Sequence, residues 1–178
     1  RGLRGMTDKN NERMIWELAD RLRGHEVLSP HVLVRACRNG GLTLDLEGLA
    51  FIVRQFGHGE GYCPKSVAGF VANLLKPYEP DSILDPWAGL GFLSIPANRY
   101  LSPERFRAYL RNAAEDEIWN DLAESQGICR ELGDGLTLMQ ESRATYDAIV
   151  CNPPLNMASR SSYSIEVDGQ EVEVRDTH

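Results

Sequence analysis

At 178 residues, 42% of them apolar, the chain is long enough for one packed domain and too apolar for a disordered polymer. No run approaches the roughly 18 apolar residues of a membrane span and no secretory leader is visible, which predicts a cytoplasmic protein without a membrane partner. Residues 1–57 carry 9 Lys and Arg against 7 Asp and Glu, a net +2, whereas residues 58–178 carry 10 against 19, a net −9. So acidic a second part is a poor phosphate-binding surface, and affinity for nucleic acid would have to come from elsewhere.

The first third reads as helical. Met14, Ile15, Leu18 and Leu22 form an apolar stripe at helical spacing, with Asn10 or Asn11 as cap and Gly24 as stop. Ser29-Pro30 is a cap followed by a first-turn proline; it opens a helix to about Arg38 that Asn39-Gly40-Gly41 ends. A third amphipathic segment covers residues 46–56 and closes at Gly57. The three are expected to pack as a small bundle in which Trp16 and His25 are structural. The glycine-rich stretch 57–61 then separates a helical region, 1–57, from a second region, 58–178.

Past Tyr62-Cys63-Pro64 the pattern alternates. A helix over 66–75, stopped by Pro77, precedes a short strand, Ser82-Ile83-Leu84-Asp85. A helix over 91–100 follows, with Pro96 tolerated near its start, then a strand over 106–110 with Phe106, Ala108 and Leu110 on one face. A helix over 115–126 and strands over 128–132 and 146–151 complete the series. Strands alternating with helices predict an α/β fold, a parallel sheet of partial Rossmann-like, doubly wound type. The tail 163–174 alternates weakly around Asp168-Gly169 and suggests a hairpin. Four sheet strands are few for such a fold, so the chain is expected to cover part of a longer protein.

Cys37, Cys63, Cys129 and Cys151 are widely spaced with no Cys-x-x-Cys pair. They read as buried free thiols rather than as a metal or disulfide framework. Chemistry is concentrated at two strand ends instead. In Asp85-Pro86-Trp87-Ala88-Gly89-Leu90-Gly91-Phe92, a carboxylate ends a strand and two glycines two residues apart lead into a helix. Glycine permits a tight turn and close approach of a ligand to the backbone, and a helix start offers free N–H donors. Position 94 is serine, so the dinucleotide fingerprint is incomplete, and no Gly-Lys-Ser/Thr follows to make a P-loop. An ordinary tight strand-to-helix turn remains the alternative. The second strand end is Asn152-Pro153-Pro154-Leu155, where the proline pair stops the ladder and stiffens the exit. It would fix an amide and a carbonyl at the carboxyl edge of the sheet, where open α/β folds hold their ligands.

Tyr62-Cys63-Pro64, Asp85-Pro86-x-x-Gly-x-Gly, Gly133-Asp134-Gly135-Leu136 and Asn152-Pro153-Pro154, in that order, resemble the amino-group DNA methyltransferases that use S-adenosylmethionine. The helical start from Ile15 to Gly24 is similar to that of modification subunits of type I restriction systems. The resemblance implies adenine N6 methylation of DNA, with a specificity subunit and further subunits of a restriction-modification complex as partners. It implies that Asp85, Pro86, Gly89 and Gly91 hold the methionine part of the cofactor, that Tyr62, Cys63 and Pro64 help bind its amino-acid end, and that Asp134 contacts its adenine. Asn152 and Pro153 would accept the protons of the target amine, while Pro154 and Leu155 would complete the catalytic segment against a flipped base.

Three positions depart from the family's pattern. Cys63 stands where threonine is usual, so a hydroxyl becomes a weak thiol donor. The acid expected to hold the ribose falls on Leu110, and Glu115, Asp116 and Glu117 read more simply as a solvated helix start than as substitutes. Leu155 replaces an aromatic residue, and base–aromatic stacking contributes about 1–3 kcal/mol per base. A catalytically weakened DNA- or partner-binding protein, and a methyltransferase acting on RNA or protein amide nitrogen, therefore stand as alternatives. A nicotinamide dehydrogenase would leave Asn-Pro-Pro without a task.

Overall fold

The computed structural model describes residues 7–23, 28–57, 62–122, 125–153, 163–167 and 170–174. Three helices open the chain: α1 (Thr7–Leu22), α2 (Pro30–Asn39) and α3 (Leu46–Phe56). Helix α1 starts a turn before the expected asparagine cap, because nothing between Thr7 and Asn11 breaks a helix. Its expected stop, Gly24, and His25 lie outside the described residues. Ser29 caps α2, its hydroxyl accepting from the Val32 N–H at 3.4 Å, and Asp45 caps α3 through the Gly48 N–H at 2.8 Å. The three helices pack on one another around Ile15, Ala19, Leu33, Leu49 and Ile52. Trp16 is structural, as expected, lying edge-on to Phe56 at 4.9 Å and to Phe51 at 6.3 Å.

The second part alternates. After α4 (Lys65–Leu75) and a 3-10 turn (Lys76–Tyr78) come β1 (Ser82–Asp85), α5 (Ser94–Leu101), β2 (Arg105–Leu110), α6 (Ala113–Asp121), β3 (Ile128–Leu132), α7 (Gly135–Glu141) and β4 (Ala148–Ile149). Pro96 sits in the first turn of α5, where its missing N–H removes no helical bond. The four strands form one parallel sheet in the order β3-β2-β1-β4. The fold is thus mixed α/β around a four-stranded parallel sheet, compatible with a Rossmann-like arrangement. Phe106, Ala108 and Leu110 are buried on one face of β2, as the alternation predicts.

Strand β4 is shorter than the sequence suggests, two residues rather than the six of 146–151. Asp147 is taken up before the ladder begins, accepting from the Ser82 N–H at 2.9 Å and the Ser82 hydroxyl at 2.8 Å, and the register with β1 ends at Ile149. Helix α7 was not expected at all. The tail forms the antiparallel hairpin β5 (Tyr163–Val167) and β6 (Gln170–Val174); its expected turn, Asp168-Gly169, lies outside the described residues.

One apolar core runs from Ile15 in α1 to Val150 after β4. The helical region is joined to the sheet region through α2 and α6, where Arg38 pairs with Glu117 and Asp121, and Arg35 with Glu117 at 3.4 Å. Lys65 adds an ion pair to Glu47 of α3 at 2.8 Å. No helix among the described residues is long and apolar enough to cross a membrane.

Candidate functional site

A sheet ordered β3-β2-β1-β4 reverses its winding between β1 and β4, and the carboxyl ends of the strands beside such a reversal form a crevice. Both singled-out motifs leave the sheet there. Leu84 registers with Ile149, and the Val150 N–H donates to the Leu84 carbonyl at 2.9 Å. The chain then continues as Asp85-Pro86 on one strand and as Cys151-Asn152-Pro153 on its neighbour.

Asp85 is fully buried and anchors the glycine turn. One carboxylate oxygen accepts the Ser94 hydroxyl at 2.6 Å, and the other accepts the Trp87 N–H at 3.1 Å. Burial pushes its carboxyl up to about 6, against the pull of those two hydrogen bonds. The turn is completed by Gly89 and Gly91 at φ +51° and +84°, the left-handed region that a side chain strains. Their surroundings differ. A Cβ on Gly91 would meet Ile95 Cδ1 at 2.7 Å and the Trp119 ring at 2.9 Å, whereas one on Gly89 would meet nothing within 4 Å. Gly91 is therefore the packed side of the turn and Gly89 its open side.

Tyr62 lies against this turn, its ring edge-on to Phe92 at 5.1 Å, with the Arg54 guanidinium 5.8 Å above it. The Cys63 thiol is buried, 3.8 Å from the Pro64 carbonyl. Burial and the neighbouring Asp85 carboxylate push it above the usual thiol range, and the same two causes raise Cys151. Pro64 is exposed and begins α4. The loop after β3 also reaches the site: a Cβ on Gly135 would collide with the Pro86 carbonyl oxygen. Asp134 beside it is exposed and caps α7, accepting from the Thr137 N–H at 2.9 Å and its hydroxyl at 3.0 Å, which hold the carboxyl below the usual range.

Asn152 and Pro153 are exposed at the strand end. Pro154 and Leu155 lie outside the described residues. All four cysteines are free, but only Cys37 and Cys63 are buried; Cys129 on the edge strand β3 and Cys151 past the end of β4 are exposed.

The acids near β2 have local partners. Asn112 caps α6, its Oδ1 accepting the Glu115 N–H at 3.0 Å, and the Glu115 carboxylate takes the Arg111 N–H at 2.8 Å. Asp116 pairs with Arg130 at 3.4 Å, and Glu117 with Arg35 and Arg38. Leu110 is fully buried. The helix start is thus more firmly tied down than a merely solvated turn.

Sequence reasoning missed Ser94 and Trp119. Ser94 looked like a failed third glycine, yet its hydroxyl serves Asp85. Trp119 is fully buried and donates its indole N–H to the Gly89 carbonyl at 2.8 Å from 30 residues away; a tryptophan in an apolar helical stripe carries no sign of that.

Around these strand ends stand the open backbone at Gly89, the Tyr62 ring against Phe92 and, next to Gly135, the exposed Asp134 carboxylate. A cavity of about 190 Å³ lies elsewhere, among Val34, Arg38, Thr43, Leu44 and Asp121. No known protein family, curated protein or solved structure matches the chain.

Proposed function

We propose that the chain is the cofactor-binding and catalytic part of an S-adenosylmethionine-dependent methyltransferase that modifies the N6 amino group of adenine in DNA. The observation that carries this reading is the pairing of β1 with β4, which brings the end of the Asp85 strand beside the strand that runs into Asn152-Pro153. A cofactor turn and an amine acceptor must lie side by side for in-line transfer, and these two motifs are far apart in sequence.

The cofactor supplies an electrophilic sulfonium methyl. The Gly89 side of the turn receives its methionine end. The Asn152 side-chain oxygen and the Pro153 carbonyl accept the two amine protons of a flipped adenine, which favours a pyramidal, nucleophilic nitrogen. The nitrogen–carbon bond forms as the sulfur–carbon bond breaks, and the surplus amine proton passes to water. Positioning carries most of the rate, since no strong base is needed. With a net −9 on residues 58–178, DNA affinity would fall to partner chains, a specificity subunit of a restriction-modification complex foremost.

A second reading, binding to DNA or a partner without transfer, draws on the buried Leu110 at the ribose position. The test is transfer of radiolabelled methyl to DNA, RNA and protein in the presence of partner subunits. Label in adenine supports the reading, label in RNA or protein moves the acceptor, and no binding of S-adenosylmethionine by calorimetry removes it.

A further inference from the structure

The Gly89 carbonyl is turned inward to the Trp119 indole N–H, at 2.8 Å. A trans peptide is planar, so the N–H of the next residue, Leu90, points the opposite way, out of the turn. That N–H has no hydrogen-bond partner among the described residues. The space beside Gly89 is open, while the indole fills the space beside Gly91. One side chain thus packs the inner side of the turn and sets the direction of the peptide on its outer side.

We propose that Trp119 is a positioning residue: by holding the Gly89 carbonyl inward it presents the Leu90 N–H outward, as a donor to the carboxylate at the amino-acid end of the cofactor. This rests on the reading of S-adenosylmethionine as the ligand. Without the indole N–H, the partly buried Gly89 carbonyl would lose its partner and the Gly89–Leu90 peptide would be free to rotate. Glycine at position 89 makes that rotation easy.

Trp119→Phe keeps a ring in place and removes the donor. Calorimetry on the full chain would compare S-adenosylmethionine with its decarboxylated form, which lacks the carboxylate and keeps the sulfonium and adenosine. The expected result is a dissociation constant about tenfold weaker for S-adenosylmethionine and unchanged within about twofold for the decarboxylated ligand. Equal weakening of both would show simple loosening of the fold and overturn the proposal, as would no weakening of either. Should Trp119→Phe fail to fold, replacing Leu90 by its α-hydroxy acid removes this N–H alone, and the same selective loss is expected. A wild-type chain that binds the decarboxylated ligand but not S-adenosylmethionine overturns the donor role. A chain that binds neither overturns the cofactor reading itself.

Discussion

The Val150 N–H donates to the Leu84 carbonyl at 2.9 Å, and past this rung the two strands give way to Asp85-Pro86 and to Cys151-Asn152-Pro153. Leu84 belongs to the strand ending in Asp85, and Val150 lies two residues before Asn152. The reversal of winding between β1 and β4 thus joins two segments 67 residues apart into one candidate site. The variants below separate what holds this junction from what acts in it.

The two glycines of the turn should respond differently to alanine. At Gly91, a methyl group collides with Ile95 and Trp119 at φ +84°, so Gly91→Ala should destabilise by about 2–4 kcal/mol in denaturant titration. Gly89→Ala has open space at φ +51° and should lose only about 1 kcal/mol. That methyl would stand on the side where a ligand approaches, so cofactor binding should fall while the melting transition stays cooperative.

Asp85 makes stability depend on pH in an uncommon direction. Its folded-state carboxyl, raised from 3.8 to about 6, holds a proton that the unfolded chain has released. The native state therefore binds more protons between about pH 4 and 6, and this group's contribution falls as pH rises through that window, then levels off. Asp85→Asn should remove the slope and raise stability above pH 7 by up to about 3 kcal/mol. Ser94→Ala should act oppositely, lowering stability at pH 7 by about 1–3 kcal/mol by leaving the carboxylate short of a donor. Urea titrations from pH 4 to 8 would read both.

Asp134 has one structural task in the fold and one proposed task toward the ligand. Asp134→Ala removes the cap of α7 and should destabilise by about 1 kcal/mol as well as weaken cofactor binding. Asp134→Asn keeps an acceptor for Thr137 and should leave the melting temperature within a degree or two of wild type. Cofactor binding in the asparagine variant, measured by calorimetry, should lie between the alanine variant and wild type.

Much of the fold was legible because its signals are local. Strands β1, β2 and β3, the Ser29 cap and the tail hairpin follow from apolar alternation, cap chemistry and turn residues. Helix α7 was not, because seven residues are too few for a helical period, although Asp134 three residues before Thr137 is a cap signal in retrospect. The extent of β4 was obscured by Tyr146 and Asp147, which look like strand residues, whereas the Asp147 carboxylate binds Ser82 and the Tyr146 ring lies against the Arg105 guanidinium. The convergence of Tyr62, Asp85 and Asn152 was foreshadowed by motif order alone. The bond from Trp119 to Gly89 was invisible, since its partners meet only once α6 has packed beside the turn. Leu155, where a base contact is expected, lies outside the described residues.

In the proposed reaction Asn152 acts on the acceptor amine beside a cofactor held by the Asp85 turn. Methyl transfer and S-adenosylmethionine affinity measured together for wild type and Asn152→Ala test it most directly. In Asn152→Ala, transfer to adenine should fall by about 10²-fold or more, with the dissociation constant of the cofactor unchanged within about threefold. Transfer retained at the wild-type rate in Asn152→Ala would contradict it.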